Sequence, residues 1–214
     1  MKKHALVLGS TGATGREIVD LLIKNTNFSK ITVFVRKKTS KKDSKITEHV
    51  IDFNNLEAYK ELINGDILYS CLGTTKLDAG SKKKQFLVDY TYQYEFAKIA
   101  AMNGVENYSL VSSIGANKNS FLFYPKIKGM LEEEIKSLNF KNIQIYQPPS
   151  LIRQVDLARK GERLTIGILN FLNKFGLLTS LKPLQVRNLA KKMINESFKR
   201  KEIKIQIFKS RDLV

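Results

Sequence analysis

Residues 5–23 constrain the fold of this chain more than any other stretch. Ala5-Leu6-Val7-Leu8 is an apolar run of strand length. Gly9-Ser10-Thr11-Gly12-Ala13-Thr14-Gly15-Arg16 follows, with its glycines spaced G-x-x-G-x-x-G. Ile18, Val19, Leu22 and Ile23 then recur at helical spacing. A strand, a glycine turn and a helix form the context in which a dinucleotide fingerprint works. Gly9 is expected to make the tight turn off the strand, and Gly12 to let the backbone approach a pyrophosphate. Gly15 is expected to let the helix pack closely on the strand. The start of the helix offers N–H groups and a positive dipole end to phosphate. Ser10, Thr11 and Thr14 add hydroxyl donors, and Arg16 is a second candidate phosphate contact. The alternative is that the glycines only punctuate a turn.

Strand and helix patterns alternate along the rest of the chain. The expected strands are Ile31 to Val35, Lys45 to Asp52, Asp66 to Leu72, Tyr108 to Ser113, Ile143 to Gln147 and Glu202 to Phe208. The expected helices are Leu56 to Ile63, Phe86 to Met102, Pro125 to Leu138 and Gln185 to Phe198, with Asn103-Gly104 as a left-handed stop. This order predicts an α/β, doubly wound parallel sheet of Rossmann type with helices on both faces, over residues 1–214 as a single domain. Its ligand crevice lies at the carboxyl ends of the strands, where the glycine turn, the end of strand four and Ser112-Ser113 should meet. A small substrate-side extension is expected over about residues 150–190. Within it Leu164 to Leu178 is apolar, and it serves equally as pocket wall, core or homodimer contact.

Composition narrows the classes. No apolar run reaches membrane-spanning length, so no membrane partner is expected. Met1-Lys2-Lys3-His4 runs into the first strand too soon for a secretory leader, and Cys71 is the lone cysteine; the reading is a cytoplasmic protein. The net charge of +17 is compatible with a nucleic-acid binder, with attraction of an anionic cofactor, or with a solvated lysine surface. The basic residues are scattered and no nucleic-acid motif accompanies them, which favours the surface. No metal site is expected.

Arg36 ends strand two, near where this fold places the adenosine ribose. An acid there accepts from a 2′-hydroxyl, whereas Arg36-Lys37-Lys38 suits a 2′-phosphate, so NADP(H) is the expected cofactor. Asp52-Phe53 closes strand three. It is a candidate adenine contact, or a cap for the helix from Leu56 that Asn54 can supply instead. Leu72-Gly73-Thr74 (with Thr75) can run close along ribose and pyrophosphate. Cys71 reads as a packed side chain, since nothing near it in sequence stabilises a thiolate. Tyr124 and Lys128 stand i, i+4 on one helical face just after the serines. An ammonium beside a phenol lowers its pKa and makes it a usable acid/base, and a serine hydroxyl can hold a carbonyl beside it. A surface Tyr–Lys pair is the alternative.

These segments resemble one family. Gly9 to Gly15, Cys71-Leu72-Gly73-Thr74-Thr75, Ser112-Ser113-Ile114-Gly115-Ala116-Asn117-Lys118, Tyr124 with Lys128-Gly129, and Pro148 together resemble the atypical short-chain dehydrogenase/reductases. More narrowly they resemble the Tat-interacting oxidoreductase group and its bacterial relatives. The resemblance runs from about Lys3 to Leu189. It implies NADP(H) binding and a Ser–Tyr–Lys site built from Ser113 (Ser112 as the alternative), Tyr124 and Lys128, with Lys128 also on the nicotinamide ribose and Pro148 lining the nicotinamide. The implied activity is reduction of a small carbonyl compound by hydride transfer, with an apolar substrate in view. The implied alternative is a non-enzymatic, NADP(H)-binding regulatory protein. Asp89 stands where the wider superfamily has an asparagine, and Pro149 where it has a glycine.

Overall fold

The computed structural model describes residues 2–157, 182–199 and 203–213. Seven strands form one sheet in the order β3-β2-β1-β4-β5-β6-β9, and every neighbouring pair is parallel. They are β1 (Lys3–Leu8), β2 (Phe28–Val35), β3 (Ile46–Val50), β4 (Ile67–Ser70), β5 (Asn107–Val111), β6 (Asn142–Tyr146) and β9 (Ile205–Phe208). The chain winds outward from β1 to β3, returns to β4 on the other side of β1, and winds outward again. That reversal opens the crevice at the carboxyl ends of β1 and β4.

The period of two in β1 divides the core into two layers. Ala5 and Val7 face Ile18, Val19 and Leu22 of α1 (Ala13–Lys24), and Leu189, Ala190 and Met193 of α6 (Val186–Glu196). Leu6 and Leu8 face the other way. They meet Phe96, Ala97 and Ala100 of α4 (Tyr92–Met102), and Leu131 and Ile135 of α5 (Phe123–Ser137). Each Val, Leu, Ile, Phe or Met among them contributes about 1.5–3 kcal/mol by leaving water. Both faces of the sheet are covered at its centre, so β1 reads as a continuous apolar run over Ala5 to Leu8.

Several expected boundaries shift for local reasons. The ladder between β4 and β5 ends at Ser70–Leu110, so Ser112 and Ser113 lie beyond the strand, at the crevice. The segment from Leu56 to Leu62 is a 3₁₀ helix. The helix expected from Phe86 starts earlier, as α3 (Lys82–Phe86), because the Ser81 hydroxyl caps it by accepting from the Lys84 N–H at 3.1 Å. It passes through a π-helical stretch, Leu87–Thr91, into α4. A four-residue α2 (Lys76–Ala79) precedes it. Gly104 takes the left-handed φ of +80° expected of the helix stop. A separate parallel pair, β7 (Leu151–Ile152) with β8 (Leu184–Gln185), was not anticipated. The apolar stretch 164–178 lies outside the described residues.

Candidate functional site

The glycine turn joins β1 to α1 at the head of the crevice. Gly9 has φ +84°, and a Cβ on it would lie 2.8 Å from the Cys71 carbonyl and from the Leu72 nitrogen. A Cβ on Gly15 would lie 2.2 Å from the Gly9 carbonyl oxygen. Both positions are therefore closed to any side chain. Gly12 differs: its φ is −79°, and a Cβ there would come no nearer than 3.4 Å to the Gly9 oxygen. Gly12 is the N-cap of α1, makes no side-chain cap, and the first turn carries no acid. A bare, positively poised helix start fits a pyrophosphate.

The sides of this turn are tied down. Ser10 is half-buried and Thr11 exposed, while Ala13 and Thr14 are buried. The Arg16 guanidinium pairs with Asp156 at 2.6 Å and holds that carboxyl below its usual range. Gln154 donates to the Ala13 carbonyl at 3.1 Å and to Glu17 at 2.9 Å. The segment after β7 therefore reaches across the first turn of α1, and Arg16 already has a carboxylate partner.

Arg36, Lys37 and Lys38 stand exposed just past β2 and make no ion pair among the described residues. Their loop is fixed a little further on, where Glu48 of β3 accepts from the Thr39 N–H at 3.0 Å and from its hydroxyl. The carboxylate of Asp52 accepts from the Asn54 N–H at 2.9 Å and side-chain amide at 3.0 Å, so it closes a local turn. Asn54 does not cap the next helix: Asn55 holds the cap position, without a side-chain bond. The Phe53 ring is buried, 5.6 Å from the Tyr92 ring.

After β4, Leu72 packs on the core and Gly73 is exposed. The Thr74 N–H donates to Asp89 at 3.1 Å, and the Thr75 hydroxyl caps α2 by accepting from Asp78 at 3.1 Å. Asp89 is fully buried on the π-helical stretch, a feature frequent at functional sites. Burial pushes the Cys71 thiol up to about 12, against a smaller opposing pull from Lys128. It is a packed side chain, as its sequence context suggested.

The serines part company. Ser112 is buried and its hydroxyl donates to Glu132 of α5. Ser113 is half-buried and its hydroxyl donates to the Ile114 carbonyl at 3.2 Å, a contact within its own loop. Tyr124 is half-buried in the first turn of α5. Lys128, one turn on, is 1% exposed, and its ammonium donates to the Val111 carbonyl at the end of β5, at 3.1 Å. Burial lowers the Lys128 pKa, while Asp89, Glu132 and Cys71 work to raise it. A Cβ on Gly129 would lie 2.3 Å from the Asn117 carbonyl carbon and the Lys118 nitrogen, so the serine loop lies directly on α5. Pro148 is buried and its carbonyl accepts from Ile114 at 2.9 Å. Ser113, Lys128 and Pro148 thus gather at the carboxyl ends of β5 and β6, around the helix start that carries Tyr124. Glu132 and Gln147 were missed in sequence. The i, i+4 spacing of Glu132 from Lys128 was the one available signal.

An NAD(P)H-binding family model matches residues 9–139. Protein FMP52-1, mitochondrial, of Scheffersomyces stipitis is 33% identical over 98% of this chain and 96% of its own length. Protein HTATIP2 of Rattus norvegicus is 31% identical over 76% of this chain and 68% of its own. Among solved structures, the Bordetella bronchiseptica enzyme WbmH in complex with NAD+ superposes with a TM-score of 0.69, at 13% identity, over 91% of this chain and 72% of that one. The mitochondrial relative overturns the cytoplasmic reading. A single cysteine does not separate the cytosol from a mitochondrion.

Proposed function

This chain belongs to the NAD(P)H-binding family as an atypical short-chain dehydrogenase/reductase, and from that premise we propose that it reduces a small carbonyl compound with NADPH. The observation that carries the proposal is Lys128, buried with its ammonium on the Val111 carbonyl, one helical turn from Tyr124 and beside the Ser113 loop. A buried lysine there is costly unless its charge is used.

In the proposed site Gly12 to Gly15 receive the pyrophosphate at the head of α1. Arg36 and Lys37, which make no ion pair among the described residues, receive the 2′-phosphate, and Arg16 reaches the phosphates by exchanging its Asp156 partner. Asp52 and Phe53 border the adenine, Leu72 to Thr74 border the ribose and pyrophosphate, and Pro148 borders the nicotinamide. Bound NADPH supplies the hydride. The Ser113 hydroxyl donates a hydrogen bond to the carbonyl oxygen of the substrate. Tyr124 donates a proton to that same oxygen, and the Lys128 ammonium lowers the phenol pKa while holding the ribose hydroxyls. The proposal takes Ser113 over the alternative Ser112, and the donation of the Ser112 hydroxyl to buried Glu132 supports that choice. The mitochondrial relative supports a mitochondrial setting for this chemistry.

The test is NADPH oxidation by the purified protein over a panel of aldehydes, ketones and quinones. Turnover that Tyr124→Phe abolishes supports the proposal. Tight NADPH binding with no turnover across the panel counts against catalysis and favours a cofactor-responsive binding protein.

A further inference from the structure

The side chain that joins the parts of the candidate site is a carboxylate that takes no part in the chemistry proposed above. Glu132 lies on α5 one turn beyond Lys128 and is 4% exposed. The Ser112 hydroxyl donates to its Oε1, and the Gln147 amide donates to both of its oxygens, at 3.1 and 3.0 Å. Ser112 immediately precedes Ser113, and Gln147 immediately precedes Pro148. One carboxylate therefore gathers the carboxyl ends of β5 and β6 onto the helix that carries Tyr124 and Lys128. Two backbone bonds complete the joint: Ser112 N–H to the Tyr146 carbonyl at 2.7 Å, and Ile114 N–H to the Pro148 carbonyl at 2.9 Å.

All of these side-chain contacts on Glu132 come from donors, so the group acts purely as an acceptor. A neutral amide could satisfy the Ser112 hydroxyl equally well. What an amide cannot supply is a negative charge, and the residue one turn away is an ammonium that is almost wholly buried. We propose that Glu132 is a positioning residue of the site: it ties the Ser113 and Pro148 segments to α5 and supplies the buried charge that keeps the Lys128 ammonium in place. The groups facing Lys128 are Asp89 from the π-helical stretch, Cys71 after β4, Glu132 on its own helix, and the Val111 carbonyl of β5. Of these, Glu132 is bonded to both the serine-loop segment and the segment after β6. The cofactor part of the test rests on the function proposed above, and the lysine part does not.

The experiment labels lysine at Cε, identifies the Lys128 resonance by its loss in Lys128→Arg, and titrates it by NMR in wild type, Glu132→Gln, Glu132→Asp and Ser112→Ala. NADPH affinity is measured in parallel. A nearby opposite charge is worth about 1–3 pH units to an ionisable group. Removing it in Glu132→Gln should therefore move the Lys128 midpoint down by about one unit or more. Glu132→Asp keeps the charge and should leave the midpoint near wild type. Ser112→Ala loses one bond but no charge, and should do the same. Should Glu132→Gln not fold, a wild-type midpoint in Glu132→Asp with a lowered Tm supports the proposal, and a displaced midpoint overturns it. An unchanged midpoint in folded Glu132→Gln, or an equal displacement in Ser112→Ala, also overturns it. A displaced midpoint in Glu132→Gln with unaltered NADPH affinity supports the placement of Glu132 and counts against Lys128 as a cofactor contact.

Discussion

Tyr124 and Arg36 are asked for separable things, which makes each testable alone. Tyr124→Phe removes one hydroxyl from the first turn of α5 and leaves the ring. Turnover should fall by about 10²–10⁴ with NADPH affinity retained, the usual cost of a lost general acid. Turnover at the wild-type rate would remove Tyr124 from the mechanism. Arg36 stands exposed past β2 without an ion-pair partner among the described residues, so its loss disturbs no packing. Arg36→Ala should weaken NADPH binding by roughly 1.5–3 kcal/mol and leave NADH binding nearly unchanged. Fluorescence titration with both nucleotides decides this, and equal wild-type affinity for the two would refute the role of Arg36. Cys71 is half-buried, and it should alkylate slowly at neutral pH because desolvation pushes its thiol up to about 12. Rapid labelling of the native protein would contradict that burial.

At the scale of elements, the site depends on how closely two loops lie on two helices. Gly129 of α5 leaves no room for a Cβ against the Asn117–Lys118 backbone. Gly129→Ala should displace the serine loop and cost about 1–3 kcal/mol, the usual price of overpacking, read as a lower denaturation midpoint. A midpoint equal to wild type would show that the loop is free to move. The glycine turn was legible in sequence because its elements are adjacent: an apolar run, three glycines and a helical repeat within two dozen residues. The same holds for Tyr124 and Lys128, which share a helix. The joint at Glu132 was not legible, since it links Ser112, 20 residues upstream, to Gln147, 15 downstream. The Arg16–Asp156 pair spans 140 residues, and no local pattern announces it. The π-helical stretch that carries Asp89 read as ordinary helix, because one extra residue per turn leaves the apolar spacing nearly intact. Asp52 read as an adenine contact or a helix cap, and the turn that its carboxylate closes on Asn54 was a third use that the sequence did not announce.

Over the whole molecule, the sheet order places the candidate groups at one end of the sheet, the carboxyl ends of β1 to β6. A ligand that binds there touches elements from both halves of the fold and should stabilise the chain as a unit. At about 100 times Kd the gain is roughly 2.7 kcal/mol, or about 5–10 °C for a domain of this size. The glycines differ in what they can report. Substituting Gly9 or Gly15 would break the turn itself, whereas Gly12 has an ordinary φ and a Cβ there would make only van der Waals contact, 3.4 Å from the Gly9 oxygen. Gly12→Glu should therefore fold as wild type while placing bulk and negative charge where a pyrophosphate would sit. The decisive measurement is a fluorescence titration of NADPH into wild type and Gly12→Glu, with folding of both checked by circular dichroism. The account predicts saturable binding to wild type and none, or a loss of at least about 100-fold, in the folded variant. Equal affinity in the two proteins would contradict it.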